Sequence, residues 1–123
     1  MYKNIELSAS LMCANWLSLK DQILSLEEND IDYMHYDIAD GIYAPDFTMG
    51  SSIINTVKEN TKLPGHYHLM VEEPMRLFEN FDLSKNEIFT IHQETSKCIL
   101  ILQVVAYMLA LEYMIQCNLF LRM

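Results

Sequence analysis

Basic residues are scarce. The 123-residue chain has 8 Lys and Arg against 17 Asp and Glu, a formal charge of −9. A nucleic-acid surface needs clustered Lys and Arg against phosphate, so this balance argues against one. An anionic substrate is still allowed, because a metal ion or backbone amides can supply local positive charge. Cysteine is scarce as well: Cys13, Cys98 and Cys117 are odd in number and form no CxxC pair. That argues against a secreted disulfide framework. The first residues, Met-Tyr-Lys-Asn-Ile-Glu, lack the apolar run of a signal peptide. A cytoplasmic, reducing setting is expected. No Gly/Ser or Pro-rich linker and no internal repeat divides the chain. A chain this short is also about half of what a complete (β/α)8 barrel takes.

What is present is a core-forming composition, 51% apolar and 20% charged, which sets the chain apart from a disordered acidic tail. Two parts differ in character. Residues 1–97 carry 16 of the 17 acids and 7 of the 8 bases, and residues 98–123 carry only Glu112 and Arg122. The reading is therefore a folded region over 1–97 and a divergent apolar, helical tail over 98–123.

The folded region alternates short apolar runs with helical patterns. Strands are expected over Ile5–Met12, Tyr33–Ile38, Leu63–Val71 and Glu87–Gln93. Between them fall three expected helices. One enters at Ser18 through a capping-box pattern with Asp21 and ends near Asn29-Asp30. One is capped by Ser51 or Ser52 and runs through Glu59. One starts at Pro74 and ends near Phe81. Asp40-Gly41 and Pro45-Asp46 mark a loop, with Asp40 shaping the turn. The order βαβαβαβ predicts parallel strands with crossover helices, an α/β architecture.

Side chains alternate faces along a strand, so residues i and i+2 share one. One parity collects Ser8, Ser10 and Met12; Tyr33, His35, Asp37 and Ala39; His66, His68 and Met70; Ile88, Thr90, His92 and Glu94. The other collects Met34, Tyr36 and Ile38; Tyr67, Leu69 and Val71; Phe89 and Ile91, nearly all apolar and suited to covering helices. Buried polar groups need partners. A polar set near the C-terminal ends of parallel strands points to a site. His35, Asp37 and His68 are two imidazoles and a carboxylate on neighbouring strands, a donor set for Zn, Fe, Mn or Co. On residue type alone, His66 and His92 read as supporting or simply satisfied polar residues, and Met12 and Met70 as core fillers.

Five stretches resemble the ribulose-phosphate 3-epimerase family and its close relative allulose-6-phosphate 3-epimerase. They are Leu-Ser-Ala-Ser-Leu-Met at 7–12, His-Tyr-Asp-Ile-Ala-Asp-Gly at 35–41, Ala-Pro-Asp-Phe-Thr-Met-Gly at 44–50, His-Leu-Met-Val-Glu-Glu-Pro at 68–74 and Thr-Ile-His-Gln-Glu at 90–94. Their order and spacing match the family's first four strands. The resemblance implies a TIM barrel of which this chain holds roughly the first four βα units. It implies a divalent metal ion held by His35, Asp37 and His68, and 3-epimerisation of a ketose phosphate of the ribulose 5-phosphate to xylulose 5-phosphate type. It makes Asp37 one of two acid/base carboxylates that remove and return a proton through an enediolate. Ser10 and His68 are implied to touch the sugar-phosphate substrate, and Met12 and Met70 to line the pocket. This is carbohydrate metabolism of the pentose phosphate kind. The Val-Asp-Gly segment that carries the family's second carboxylate is absent from these 123 residues. The alternatives are a catalytically inactive half-barrel that binds metal or another protein, and an allulose-6-phosphate 3-epimerase.

The tail has an apolar run from Cys98 to Leu111 broken only by Gln103. At 14 residues it reads as a buried or interfacial helix rather than a membrane span. Four strands cannot close a barrel, so open sheet edges are expected to invite pairing with a second copy.

Overall fold

The computed structural model describes residues 5–81, 86–95 and 114–117. Five parallel strands form one sheet in the order β1-β2-β3-β4-β5. They are β1 (Ser8–Ser10), β2 (Tyr33–Ala39), β3 (Gly65–Met70), β4 (Ile88–Ile91) and β5 (Met114–Cys117), with helices α1 (Leu19–Glu28) and α2 (Ser51–Glu59) in the first two crossovers. The expected parallel α/β order is present.

The register settles which residues are neighbours. Ser10 pairs with His35. Asp37 pairs with His68 and Tyr36 with Tyr67, and His68 pairs with Thr90. The apolar parity is the core: Met34, Tyr36, Tyr67, Leu69, Phe89 and Ile91 are buried together with Ile23 of α1 and Ile54 and Val57 of α2. Tyr67 stacks on Phe89 with ring centroids 4.7 Å apart and interplanar angle 7°. Gly65 is needed for this packing, because a Cβ there would meet the Tyr67 ring at 2.6 Å. Large aromatic rings buried in contact are the main apolar contribution of such a sheet.

Several local expectations are corrected. The first strand is Ser8–Ser10 rather than Ile5–Met12, because Leu11–Cys13 turns into a 3-10 segment capped by Ser10, whose Oγ accepts from the Met12 amide at 3.2 Å. The capping box at Ser18 does not form. A 3-10 turn over Trp16–Ser18 precedes α1, and Ser18 makes no side-chain cap bond. Gln22 occupies the hydroxyl instead, donating from Nε2 to Ser18 Oγ at 2.9 Å and to the Asn15 carbonyl at 2.9 Å. The N-cap of α2 is Gly50, so Ser51 is already the first helical residue.

The helix expected from Pro74 to Phe81 is two 3-10 turns, Pro74–Arg76 and Phe78–Asn80. Met75, Leu77, Phe78 and Phe81 of this segment all pack against the core. Within the tail, Met114–Cys117 is a strand rather than part of a helix. It pairs in parallel with β4, Phe89 opposite Ile115, and so satisfies backbone groups that β4 would otherwise leave at an open edge. The rest of the expected apolar helix over 98–123 lies outside the described residues. Among the described residues no helix is long and apolar enough to cross a membrane.

Asp40 holds the loop after β2 as its position suggests. Its Oδ1 accepts from the Ile42 and Tyr43 amides, both at 2.9 Å. Its Oδ2 accepts from the Glu72 amide at 2.8 Å and ties this loop to the end of β3. These amides, Glu72 first, hold its carboxyl below the usual value. Gly41 follows at φ 75°, where a Cβ would strike the Phe47 ring at 2.5 Å.

Candidate metal centre

The polar parity converges on one carboxylate. Asp37, in the middle of β2, lies between β1 and β3. Its Oδ1 accepts from His35 Nε2 and from His68 Nδ1, each at 3.0 Å. Its Oδ2 accepts from Ser10 Oγ at 2.6 Å. Strand alternation puts His35 and Asp37 on one face, and the β2–β3 register brings His68 directly beside Asp37. Behind Asp37, its backbone carbonyl accepts from Thr48 Oγ1, and the same hydroxyl accepts from the Ala39 amide at 2.8 Å. Thr48 thus pins the loop before α2 onto the strand that carries the site.

All four histidines of the chain join this cluster. His66 Nδ1 lies 3.1 Å from His35 Nδ1 and 3.1 Å from Ser8 Oγ, and His66 Nε2 lies 2.9 Å from Thr90 Oγ1. His92 Nε2 lies 3.0 Å from His68 Nε2, and the Tyr43 ring packs beside it at 4.8 Å.

Charge at the centre is one-sided. Burial pushes the Asp37 carboxyl up. The hydrogen bonds from Ser10 and His68 and the nearby His35 outweigh it, so the carboxyl sits below its ordinary value and is an anion at neutral pH. Burial, then the neighbouring His35 and His68, pull His66 down to about 4. Burial and His68 lower His92 too. The ion pairs of Asp37 among the described residues are with His35 and His68 alone, so no Lys or Arg neutralises it there.

His35, Asp37 and His68 each offer a donor atom, and these atoms lie within 4.8 Å of one another. The donor types fit a first-row divalent ion. Two donors each about 2.1 Å from one ion stand about 3.0 Å apart at an octahedral right angle and about 3.4 Å apart at a tetrahedral angle, so the 3.0 Å contacts on both sides of Asp37 Oδ1 need little change to admit an ion.

Other residues expected at the site fall around it. Ser10 directs its hydroxyl hydrogen to Asp37. Met70 ends β3 opposite Ala39. Met12 is not a core filler: it is 47% exposed and lines a cleft of about 320 Å³ with Trp16, Phe47, Thr48 and Met49. Ser8, Thr48 and Thr90 are network members that residue type alone does not single out. For Ser8 and Thr90 the signal is their strand parity.

The chain matches the model of the ribulose-phosphate 3-epimerase family over residues 6–107. Ribulose-phosphate 3-epimerase of Methanocaldococcus jannaschii is 37% identical over 93 residues, 76% of this chain and 39% of the relative. The enzyme of the same name from Bacillus subtilis is 33% identical over 90 residues, 73% of this chain and 42% of the relative. That from Synechocystis is 32% identical over 94 residues, 76% and 41% respectively. The chain therefore spans about two fifths of the length of these curated relatives. A match across most of its residues, together with the parallel sheet on which its histidines and Asp37 converge, establishes that this chain belongs to the ribulose-phosphate 3-epimerase family.

Proposed function

We propose that this chain carries the metal-holding half of a ketose-phosphate 3-epimerase centre, acting on a ribulose 5-phosphate type substrate. The observation that carries the reading is the meeting of His35 Nε2, Asp37 Oδ1 and His68 Nδ1. His35, Asp37 and His68 hold the ion. A divalent ion there supplies Lewis-acid stabilisation of the negative charge left when the C3 proton departs. Asp37 Oδ2 takes that proton on one side of the substrate and can return it. Ser10 holds Oδ2 in place through its 2.6 Å hydrogen bond and makes it a weaker base than a free carboxylate. Met12, from the cleft beside β1, and Met70, at the end of β3, border the reacting carbons and limit water. Inversion at C3 needs a second acid on the opposite side. Among the described residues no second carboxylate joins the His35, Asp37 and His68 group.

The reading is tested with the purified chain, loaded with Zn²⁺ or Mn²⁺, and ribulose 5-phosphate in D2O. Asp37 acting alone exchanges the C3 proton for deuterium with retention, seen by NMR as loss of the C3 signal without xylulose 5-phosphate. Full epimerisation identifies a second acid supplied elsewhere. Both activities vanish in Asp37→Asn. A metal-loaded chain that neither exchanges nor epimerises C3 overturns the enzymatic reading. The single carboxylate specifically favours a second reading, a metal-binding module without turnover, and that outcome supports it. Activity on allulose 6-phosphate in place of ribulose 5-phosphate reassigns the substrate within the same chemistry. Oligomerisation through the outer edge of β1, open among the described residues, is read by light scattering on the same sample.

A further inference from the structure

Each of the two imidazoles facing Asp37 has its far nitrogen against another imidazole. His35 Nδ1 meets His66 Nδ1 at 3.1 Å, and His68 Nε2 meets His92 Nε2 at 3.0 Å. The ring pairs stand 4.4 and 5.1 Å apart between centroids. A nitrogen-to-nitrogen contact of this length holds one hydrogen, donated by one ring and accepted by the other. What the inner nitrogens do therefore decides which ring donates.

Asp37 Oδ1, as a carboxylate oxygen, can only accept. With no ion bound, His35 Nε2 and His68 Nδ1 both donate to it. A neutral imidazole carries one N–H, so His35 Nδ1 and His68 Nε2 are then lone pairs. His66 Nδ1 and His92 Nε2 must donate to them. A bound ion takes the inner lone pairs, and both directions reverse. His35 Nδ1 and His68 Nε2 then donate, and the outer rings accept.

We propose that His66 and His92 are positioning residues for the metal, and that all four histidines change tautomer together when a divalent cation binds. The inference rests on the metal-centre reading above. His66 is built for both states. Ser8 Oγ lies 3.1 Å from its Nδ1 and Thr90 Oγ1 lies 2.9 Å from its Nε2, and a hydroxyl can donate or accept at either place. A carboxylate in the position of His66 or His92 could only accept, which suits the ion-bound state alone. An imidazole suits both. The balance closes without gain or loss: every ring holds one hydrogen before and after, only its nitrogen changes, and no proton is released. The outer rings thereby fix the orientation of the ligand rings, a role whose loss typically lowers metal affinity about 10- to 100-fold.

The experiment uses the full chain labelled with 15N at histidine, with long-range 1H–15N spectra recorded before and after one equivalent of Zn²⁺. Zn²⁺ affinity is measured by chelator competition. The expected result is that His66 moves its hydrogen from Nδ1 to Nε2 and His92 from Nε2 to Nδ1. His66→Phe and His92→Phe each weaken Zn²⁺ binding about 10- to 100-fold, and His66→Gln and His92→Gln recover most of it, since a side-chain amide can donate or accept. Zn²⁺ bound with either outer histidine keeping its metal-free tautomer overturns this inference alone, as does unchanged affinity in the Phe variants. A wild-type chain that takes up no Zn²⁺ overturns the metal centre as well. If a Phe variant fails to fold, the wild-type spectra and the Gln variants still decide.

Discussion

Two carboxylates, Glu87 buried beside β4 and Asp37 half-buried in β2, solve the same problem in opposite ways. On the helix side, Glu87 is 1% exposed and its Oε1 lies 2.6 Å from Lys58 Nζ of α2. Tyr67 OH donates to the same oxygen at 3.4 Å. The carboxylate there has a permanent cation. On the opposite face, the side-chain partners of Asp37 among the described residues are imidazoles and a hydroxyl. One cluster is closed, and the other has no fixed positive charge among the described residues. A carboxylate short of a cation and flanked by imidazoles is what a cation from solution would need, and this is the cluster proposed to bind one. The closed pair serves folding.

The largest effect expected from breaking this contrast is at the closed pair. Lys58→Met removes the cation 2.6 Å from buried Glu87, and should cost about 3–5 kcal/mol in urea unfolding. Adding Glu87→Leu should recover much of that loss, because apolar replacement of both partners removes the buried charge. A single variant that unfolds like wild type would show that water reaches Glu87.

Next comes the open cluster. Metal at about 100 times its dissociation constant should raise wild-type stability by about 2.7 kcal/mol. Asp37→Asn should lose that increment, melting alike in metal and in chelator, and should melt below metal-free wild type because the hydrogen bonds to its carboxylate are lost. The same Tm in metal and in chelator for the wild type would remove the contrast between the clusters.

A smaller effect is expected from pH, measured in chelator. His66 titrates at about 4 in the folded chain against an ordinary 6.5. The unfolded chain therefore binds a proton first. Stability from this residue is full above pH 6.5 and is lost as pH falls towards about 4. Asp37, held below its ordinary 3.8, adds stability that is lost only below that value. The urea midpoint should fall between pH 6.5 and 4, less steeply in His66→Gln.

The smallest effect lies beside the closed pair. Tyr36 OH is buried with no hydrogen-bond partner among the described residues. Burial, then the nearby Glu87, raises its pKa. Tyr36→Phe removes an unsatisfied hydroxyl and should be neutral or stabilise by up to about 1 kcal/mol. A clear loss would show that the hydroxyl has a water partner.

Much of the candidate site is legible in strand parity. His35, Asp37 and His68 are on the polar parity, and the alternation that selects them also selects Tyr36, Tyr67 and Phe89 for the core. Short local elements are less legible. Ser18 has a capping sequence, but Gln22 takes its hydroxyl. Pro74 can begin a helix, but the segment forms two 3-10 turns with Met75, Leu77, Phe78 and Phe81 packed on the core. The same four residues of the tail that fit a helical run form β5, because β4 offers a free edge. In each case a tertiary partner outweighs a weak local preference.

The alternation of strands and helices, the two faces of the sheet and the donor types at its centre follow from periodicity and side-chain chemistry, which are properties of each segment alone. That Asp37 stands beside His68 and Ser10 beside His35, and that His66 and His92 touch the ligand-type histidines, follows from how the strands pair. Register between strands is set by packing across the sheet, and a shift of one residue would send Asp37 or His68 to the other face. Parity can say which residues share a face, but only pairing brings their nitrogens and oxygens within 3 Å.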